Sequence, residues 1–276
     1  MLISIGELIK RSYNLYKDNF TTILKYLLLM LIPAIFIFLF KNIIKLTIVK
    51  FGATMSPILF VLIPLLSLVL IAAIALGMWF NFALIKVIDL LNKKMPAPPI
   101  KDALKEAKAV IWRGFGATIL VGIYSAWPLF LGLIALAISN RLLHSQILNA
   151  IFGLVATYGI FHLVYFSIKL IFTAYSVVLD NKKIREALKT SASLTQKRWW
   201  GVLSRAFTPA IAAYLVVMII NLVLSAIGGI GGDIGKAIAT TLFSVINFLV
   251  TPYILIVMII LLDEAKKTAV LTPPQI

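Results

Sequence analysis

Six apolar runs leave this chain little choice of fold. They cover about 24–40, 58–88, 115–138, 147–179, 202–224 and 238–262. Each is near or above the ~20 residues a helix needs to cross the hydrocarbon of a bilayer. Inside a bilayer each backbone N–H and C=O must find its partner within the protein, so runs of this length become helices. Composition agrees: 62% of the 276 residues are hydrophobic and 13% are charged, where soluble domains carry about 25% charged residues. The expected fold class is an all-α polytopic membrane protein with six transmembrane helices in a single membrane domain, 1–276. The second and fourth runs exceed a simple crossing and must tilt or project into water.

Six crossings put both termini on one side, and charge says which. Twenty-one of the 26 Lys and Arg residues fall in the N-terminal segment, the regions around 86–113 and 169–205, and the tail. Lys41, Lys45, Lys50, Arg141 and Lys236 fall on the other side. An excess of basic residues marks the cytoplasmic side. The reading is therefore a multi-pass protein of a prokaryotic plasma membrane with both termini cytoplasmic. The net charge of +16 is largely this asymmetry. It also suits anionic lipid headgroups, which attract basic residues by about 1 kcal/mol each near the surface. Nucleic acid is excluded as a partner, because the basic residues are spread along the membrane boundaries. A polar segment, Ser4 to Asn19, precedes the first run, and no small-residue cleavage pattern follows it. The chain is expected to remain unprocessed.

The runs are organised as an internal repeat. "IGELIK" at 5–10, "IKDALK" at 100–105 and "IREALK" at 184–189 share one pattern. Ten residues after each final Lys stands an aromatic: Phe20, Phe115 and Trp199. Pro33 and Pro128 follow at twenty-three residues, whereas the third copy has Pro209 at twenty. The even-numbered runs end alike, at Asp89 before Lys93-Lys94, Asp180 before Lys182-Lys183 and Asp263 before Lys266-Lys267. This defines three helical-hairpin repeats, 4–94, 99–183 and 184–267, each preceded by a short amphipathic cytoplasmic interfacial helix. Ile5, Leu8, Ile9, Ser12 and Tyr16 lean to one face of the first, and Ile100, Ala103, Leu104, Ala107 and Ile111 to one face of the second. The third, with Ile184, Ala187, Leu188, Ser191 and Thr195, has the weakest apolar face and suits packing on protein better than on lipid. Ser4 and Glu7 form a capping-box pattern at the first start.

Three sets of residues are candidates for function. Lys10, Arg11, Lys105, Lys189, Lys197 and Arg198 are candidate lipid-headgroup contacts. Phe20, Phe115, Trp199 and Trp200 are candidate interface anchors, since an indole prefers an apolar body and a wet N–H. Asn81, His162, Lys169, Asn221 and Asn247 are a candidate intramembrane polar site, because polar groups at depth are costly and call for partners. His162 reads either as a neutral histidine bonded to a neighbouring helix or as a proton relay. Lys169 reads as reaching the cytoplasm, by projection of the fourth span or by snorkelling, or as buried with a partner. "GGIGGDIG", 228–235, reads as a flexible external turn.

The absences narrow the chemistry. There is no cysteine, and the two histidines, His144 and His162, are too few for most histidine metal sites. The sequence holds no phosphate loop, paired-histidine metal motif or serine-nucleophile elbow. No cofactor and no catalytic constellation are expected.

At "REALKTSASLTQKRWWGVL" the chain resembles the membrane domain of glycerophosphoryl diester phosphodiesterases and its six-span bacterial relatives. The matching residues are Ala187, Leu188, Lys189, Ser191, Leu194, Thr195, Arg198, Trp199 and Trp200, and "LYKDNFTTILKYLLLMLIP" at 15–33 is similar to the family's opening. In the family's fused enzymes catalysis belongs to a separate soluble domain, which implies that this chain is a standalone membrane domain. Three repeats and six spans also evoke the mitochondrial carrier. Its Pro-x-acid-x-x-basic motif is not met after Pro33, Pro128 or Pro209.

The function expected is a non-enzymatic module that binds anionic membrane lipid or a membrane-protein partner; a role in membrane homeostasis is what the resemblance implies. The alternative is a small-molecule or lipid transporter or channel, with the polar residues lining a site between the helices.

Overall fold

The computed structural model describes residues 2–51, 57–143 and 145–270. The described residues are helical apart from short links, with no strand among them. The order is α1 (Ile5–Asp18), α2 (Phe20–Phe51), α3 (Pro57–Asn92), α4 (Ile100–Lys108), α5 (Ile111–Ile138), α6 (Gln146–Lys169), α7 (Thr173–Asp180), α8 (Ile184–Thr195), α9 (Trp199–Ile230) and α10 (Gly232–Val270). A π-helical turn, Ser139–Leu143, extends α5. His144 lies outside the described residues. Six stretches are long and apolar enough to cross a bilayer: Phe20–Phe40, Pro64–Asn92, Ile111–Arg141, Gln146–Asp180, Trp199–Ile230 and Gly232–Ala269. The protein is a multi-pass, all-helical membrane protein.

The fourth stretch departs from the sequence reading. One apolar run becomes two helices, because α6 ends at Lys169 and α7 begins at Thr173. Neither Pro nor Gly stands between them, so the break has a tertiary cause. The short helices begin at Ile5, Ile100 and Ile184, where the sequence places them. Each buries the residues three and seven places further on: Leu8 and Ser12, Ala103 and Ala107, Ala187 and Ser191. In α4 and α8 that face lies against protein, with α4 on α3 and α8 on α6 and α7.

The chain divides into two compact units. The first comprises 1–10, 112–212 and 257–276. Its core gathers Ile168, Phe172, Leu194, Val202, Ala206, Leu261 and Leu262, and a smaller cluster joins Ala117, Val177 and Ala187. Here α5 and α6 meet at their backbones. A Cβ on Gly132 would lie 2.6 Å from the Ala156 nitrogen, and one on Gly159 would strike the Leu129 backbone. Arg113 ties α5 to the end of α7, donating to the Asn181 side-chain oxygen at 2.6 Å and its carbonyl at 3.1 Å. Asn181 adopts φ 54°, a left-handed cap that asparagine tolerates. Asp180 pairs with Lys266 at 2.7 Å. Thus the acid of one exit sequence meets a lysine of another.

The second unit comprises 11–111 and 213–256. α2 packs on α3, burying Ile23, Tyr26, Leu27, Leu84 and Ile88. The Trp79 indole donates to the Leu104 carbonyl at 2.8 Å and Lys86 pairs with Glu106 at 3.3 Å, both fixing α4 on α3. Tyr16 donates to the Leu249 carbonyl at 2.9 Å, three residues before Pro252. Burial pushes its phenol up from the ordinary value, so the hydroxyl stays a donor. The glycine-rich stretch is a tight turn between two helices rather than an open loop. α9 runs to Ile230 and α10 starts at Gly232, whose φ is 62°. A Cβ on Gly228 would lie 2.8 Å from that of Ala239 and 2.9 Å from the Gly235 carbonyl oxygen. The glycines let the helices close up.

Candidate functional site

Breaking a helix in an apolar setting strands backbone groups, and an unpaired one costs about as much as a lost buried hydrogen bond. At the α6–α7 break, α8 supplies the partners. The Ser191 hydroxyl accepts from the N–H of Phe172 at 3.1 Å and donates to the Lys169 carbonyl at 3.0 Å. Thr195, one turn on, reaches the same carbonyl at 3.1 Å, with the Ser191 and Ala192 carbonyls at 3.0 and 3.1 Å also within range of its one proton. Ser191 and Phe172 are fully buried. The weak apolar face of α8 is therefore a hydroxyl clamp, and what it packs on is the broken fourth span.

Directly beside the clamp is a cavity of about 310 Å³, lined by Tyr165, Lys169, Ala192, Thr195, Gln196, Lys197 and Trp199. Three elements position these residues. α6 brings Tyr165 and Lys169 one turn apart, α8 ends at Thr195, and α9 opens at Trp199. The Lys169 ammonium sits 5.6 Å from the Tyr165 ring centroid and 5.2 Å from that of Phe166. Cation–π attraction steadies the charge there. Trp199 stacks on Tyr165 with centroids 6.0 Å apart, and its indole donates to the Tyr165 carbonyl at 3.1 Å. Lys197 has φ 60°, a left-handed conformation uncommon outside glycine and asparagine. No acid lines the cavity.

The other candidates divide by environment. Lys10, Lys105, Lys189 and Lys197 are exposed. Arg11 donates to the Asn92 side chain at 3.0 Å. Arg198 donates to the Thr268 hydroxyl at 2.6 Å and its carbonyl at 3.1 Å. Both arginines thus tie chain segments together as well as carrying charge. Among the anchors, Trp200 is 76% exposed and meets Trp199 edge-on at 4.7 Å. Trp199 is half-buried, and Phe20 and Phe115 pack edge-on against Tyr16 and Trp112.

The candidate intramembrane polar residues fall in both units. His162 and Lys169 are in the first, and Asn81, Asn221 and Asn247 in the second. His162 lies 3.1 Å from the Ser125 carbonyl through Nδ1. A carbonyl only accepts, so Nδ1 carries the proton. Ser125 stands three residues before Pro128, in the turn whose bonding the proline weakens. Phe166 stacks on His162 at 4.3 Å and also lies under the Lys169 ammonium, joining the two along one face of α6. Asn247 bonds back to the Phe243 carbonyl of its own helix at 3.0 Å. Lys169 is the member of this set that lines the cavity. Among the described residues no group of three or more His, Cys, Asp or Glu is placed to hold a metal ion.

Sequence reasoning missed Tyr165 and Gln196. Tyr165 had a signal, since it stands one helical turn before Lys169 and could shield it. Gln196 had none.

Residues 138–273 match the family model of the membrane domain of glycerophosphoryl diester phosphodiesterase. The match spans just under half of the chain and includes α6 to α10, the hydroxyl clamp and the cavity. The resemblance at "REALKTSASLTQKRWWGVL" lies within it, whereas that at 15–33 lies outside. No curated protein and no solved structure matches the chain.

Proposed function

We propose that the protein is a non-enzymatic lipid-binding module of a prokaryotic plasma membrane, concerned with membrane homeostasis. Both termini and the helices α1, α4 and α8 lie on the cytoplasmic side in this reading. The carrying observation is the division of labour in the short helices. One face is buried, through Leu8, Ala103 and Ala187, while Lys10, Lys105 and Lys189 stay exposed. Helices anchored by one face and basic on the other present fixed charge to anionic headgroups. Their matching buried positions also support reading 4–94, 99–183 and 184–267 as three repeats.

The test is lipid selectivity. The full chain is inserted into nanodiscs of mixed phosphatidylcholine and phosphatidylglycerol, and the retained lipid is quantified. Wild type should enrich phosphatidylglycerol, and the triple variant Lys10→Gln, Lys105→Gln, Lys189→Gln should enrich it less. Equal composition for both sinks the reading.

A transporter is the second reading, favoured by the prolines inside α2, α5 and α9 and by Lys169 at a cavity. Solute flux in proteoliposomes that Lys169→Gln abolishes would support it.

A further inference from the structure

We propose that the cavity at the α6–α8–α9 junction is a specific site for the phosphodiester headgroup of an anionic phospholipid. This rests on the lipid-binding reading and assigns it one site. Four observations converge. The lining includes two lysines, Lys169 and Lys197, and no acidic residue. Lys169 faces aromatic rings where an ion pair would ordinarily be, so its charge remains available to a ligand. Gln196 adds amide donors at the rim, where it is exposed. α9 begins at Trp199 on the cavity wall, which places the positive end of a 32-residue helix there.

Lys197 follows the end of α8 at φ 60°, a left-handed conformation that often closes a helix, and it lines the cavity. The volume, about 310 Å³, is near the lower limit of small-molecule sites. It admits a phosphate with a short polar substituent and leaves acyl chains outside. The helices bounding the cavity continue with exposed apolar side chains, Phe161 and Val164 on α6 and Phe207 on α9, along which such chains can lie.

The link between α1 and α2 provides an internal comparison. It also borders a groove, lined in part by Asp18 and Lys94. Asp18 stands thirteen residues after Ile5, and Lys197 thirteen after Ile184. Where the first groove balances an acid against a base, the third-repeat cavity holds bases alone. The excess of basic residues is thus found at the third-repeat link and not at the first.

The experiment is native mass spectrometry of the full chain in detergent, titrated with phosphatidylglycerol, with phosphatidylcholine and inorganic phosphate as comparison probes. One phosphatidylglycerol should bind more tightly than the rest. Lys169→Gln and Lys197→Gln should each weaken that first binding about fivefold or more. Gln196→Glu places a repelling charge at an exposed position and should weaken it without altering thermal stability, which covers the case in which Lys169→Gln misfolds. The triple surface variant Lys10→Gln, Lys105→Gln, Lys189→Gln should leave the first binding intact and reduce the weaker ones. Equal loss in the surface and cavity variants overturns the site but leaves general lipid binding standing. No preference over phosphatidylcholine overturns both. First binding displaced fully by millimolar phosphate assigns the cavity to the free anion and overturns the lipid proposal.

Discussion

At the scale of residues, hydroxyls explain what hydrophobicity could not. Ser191 and Thr195 weaken the apolar face of α8, and the sequence shows that defect without showing its use. The use lies twenty-odd residues earlier, at a break with no proline or glycine to announce it. The N–H of Phe172 is buried and bonded to Ser191. Ser191→Ala should leave that N–H unpaired and lower stability by about 1–3 kcal/mol, read as a lower melting temperature in detergent. Ser191→Thr, which keeps the hydroxyl, should recover most of the loss if the added methyl is accommodated. If Ser191→Ala melts with wild type, the clamp is not holding the break. Lys169 was legible as a polar group in an apolar run. Its contact with two aromatic rings was not among the partners the sequence suggested.

At the scale of elements, periodicity and capping residues showed where helices begin, and glycine showed less than it could have. The three short helices start at the isoleucines that open the sequence pattern. Their cores were legible because small and apolar residues recur at three- and four-residue spacing. Close approaches were not, because glycines at 132 and 159 form no motif and sit far apart in sequence. The structure makes them a pair of contacts between α5 and α6. Gly159→Val should collide with the Leu129 backbone, cost about 1–3 kcal/mol or more, and lower the yield of folded protein. Gly153, on the same helix, has nothing within 4 Å of an added Cβ. Gly153→Ala should stabilise α6 by about 0.5–1 kcal/mol. A shared outcome for the two variants, measured by thermal melts in one detergent, would show that backbone proximity is not what the glycine at 159 serves.

At the scale of the whole molecule, the chain's lack of cysteine turns topology into a direct measurement. The proposed topology, argued from charge asymmetry, has α1, α4 and α8 on one side of the membrane and the α9–α10 turn on the other. Lys189 on α8 and Lys236 near the start of α10 are both exposed, so single cysteines at these positions report their compartments without background. In intact cells, Lys236→Cys should react with a membrane-impermeant maleimide, and Lys189→Cys should react only after permeabilisation. Reaction of both before permeabilisation, or of Lys189→Cys alone, would reverse or break the topology. That outcome would also relocate the cavity, because Lys197 and Trp199 follow α8 closely in the chain. An anionic headgroup site on the cytoplasmic leaflet meets the leaflet where anionic lipid and basic residues are matched. Placed on the opposite side, the same two lysines would have to select their ligand without that field. The labelling experiment therefore tests orientation first, and with it the electrostatic setting in which the junction must work.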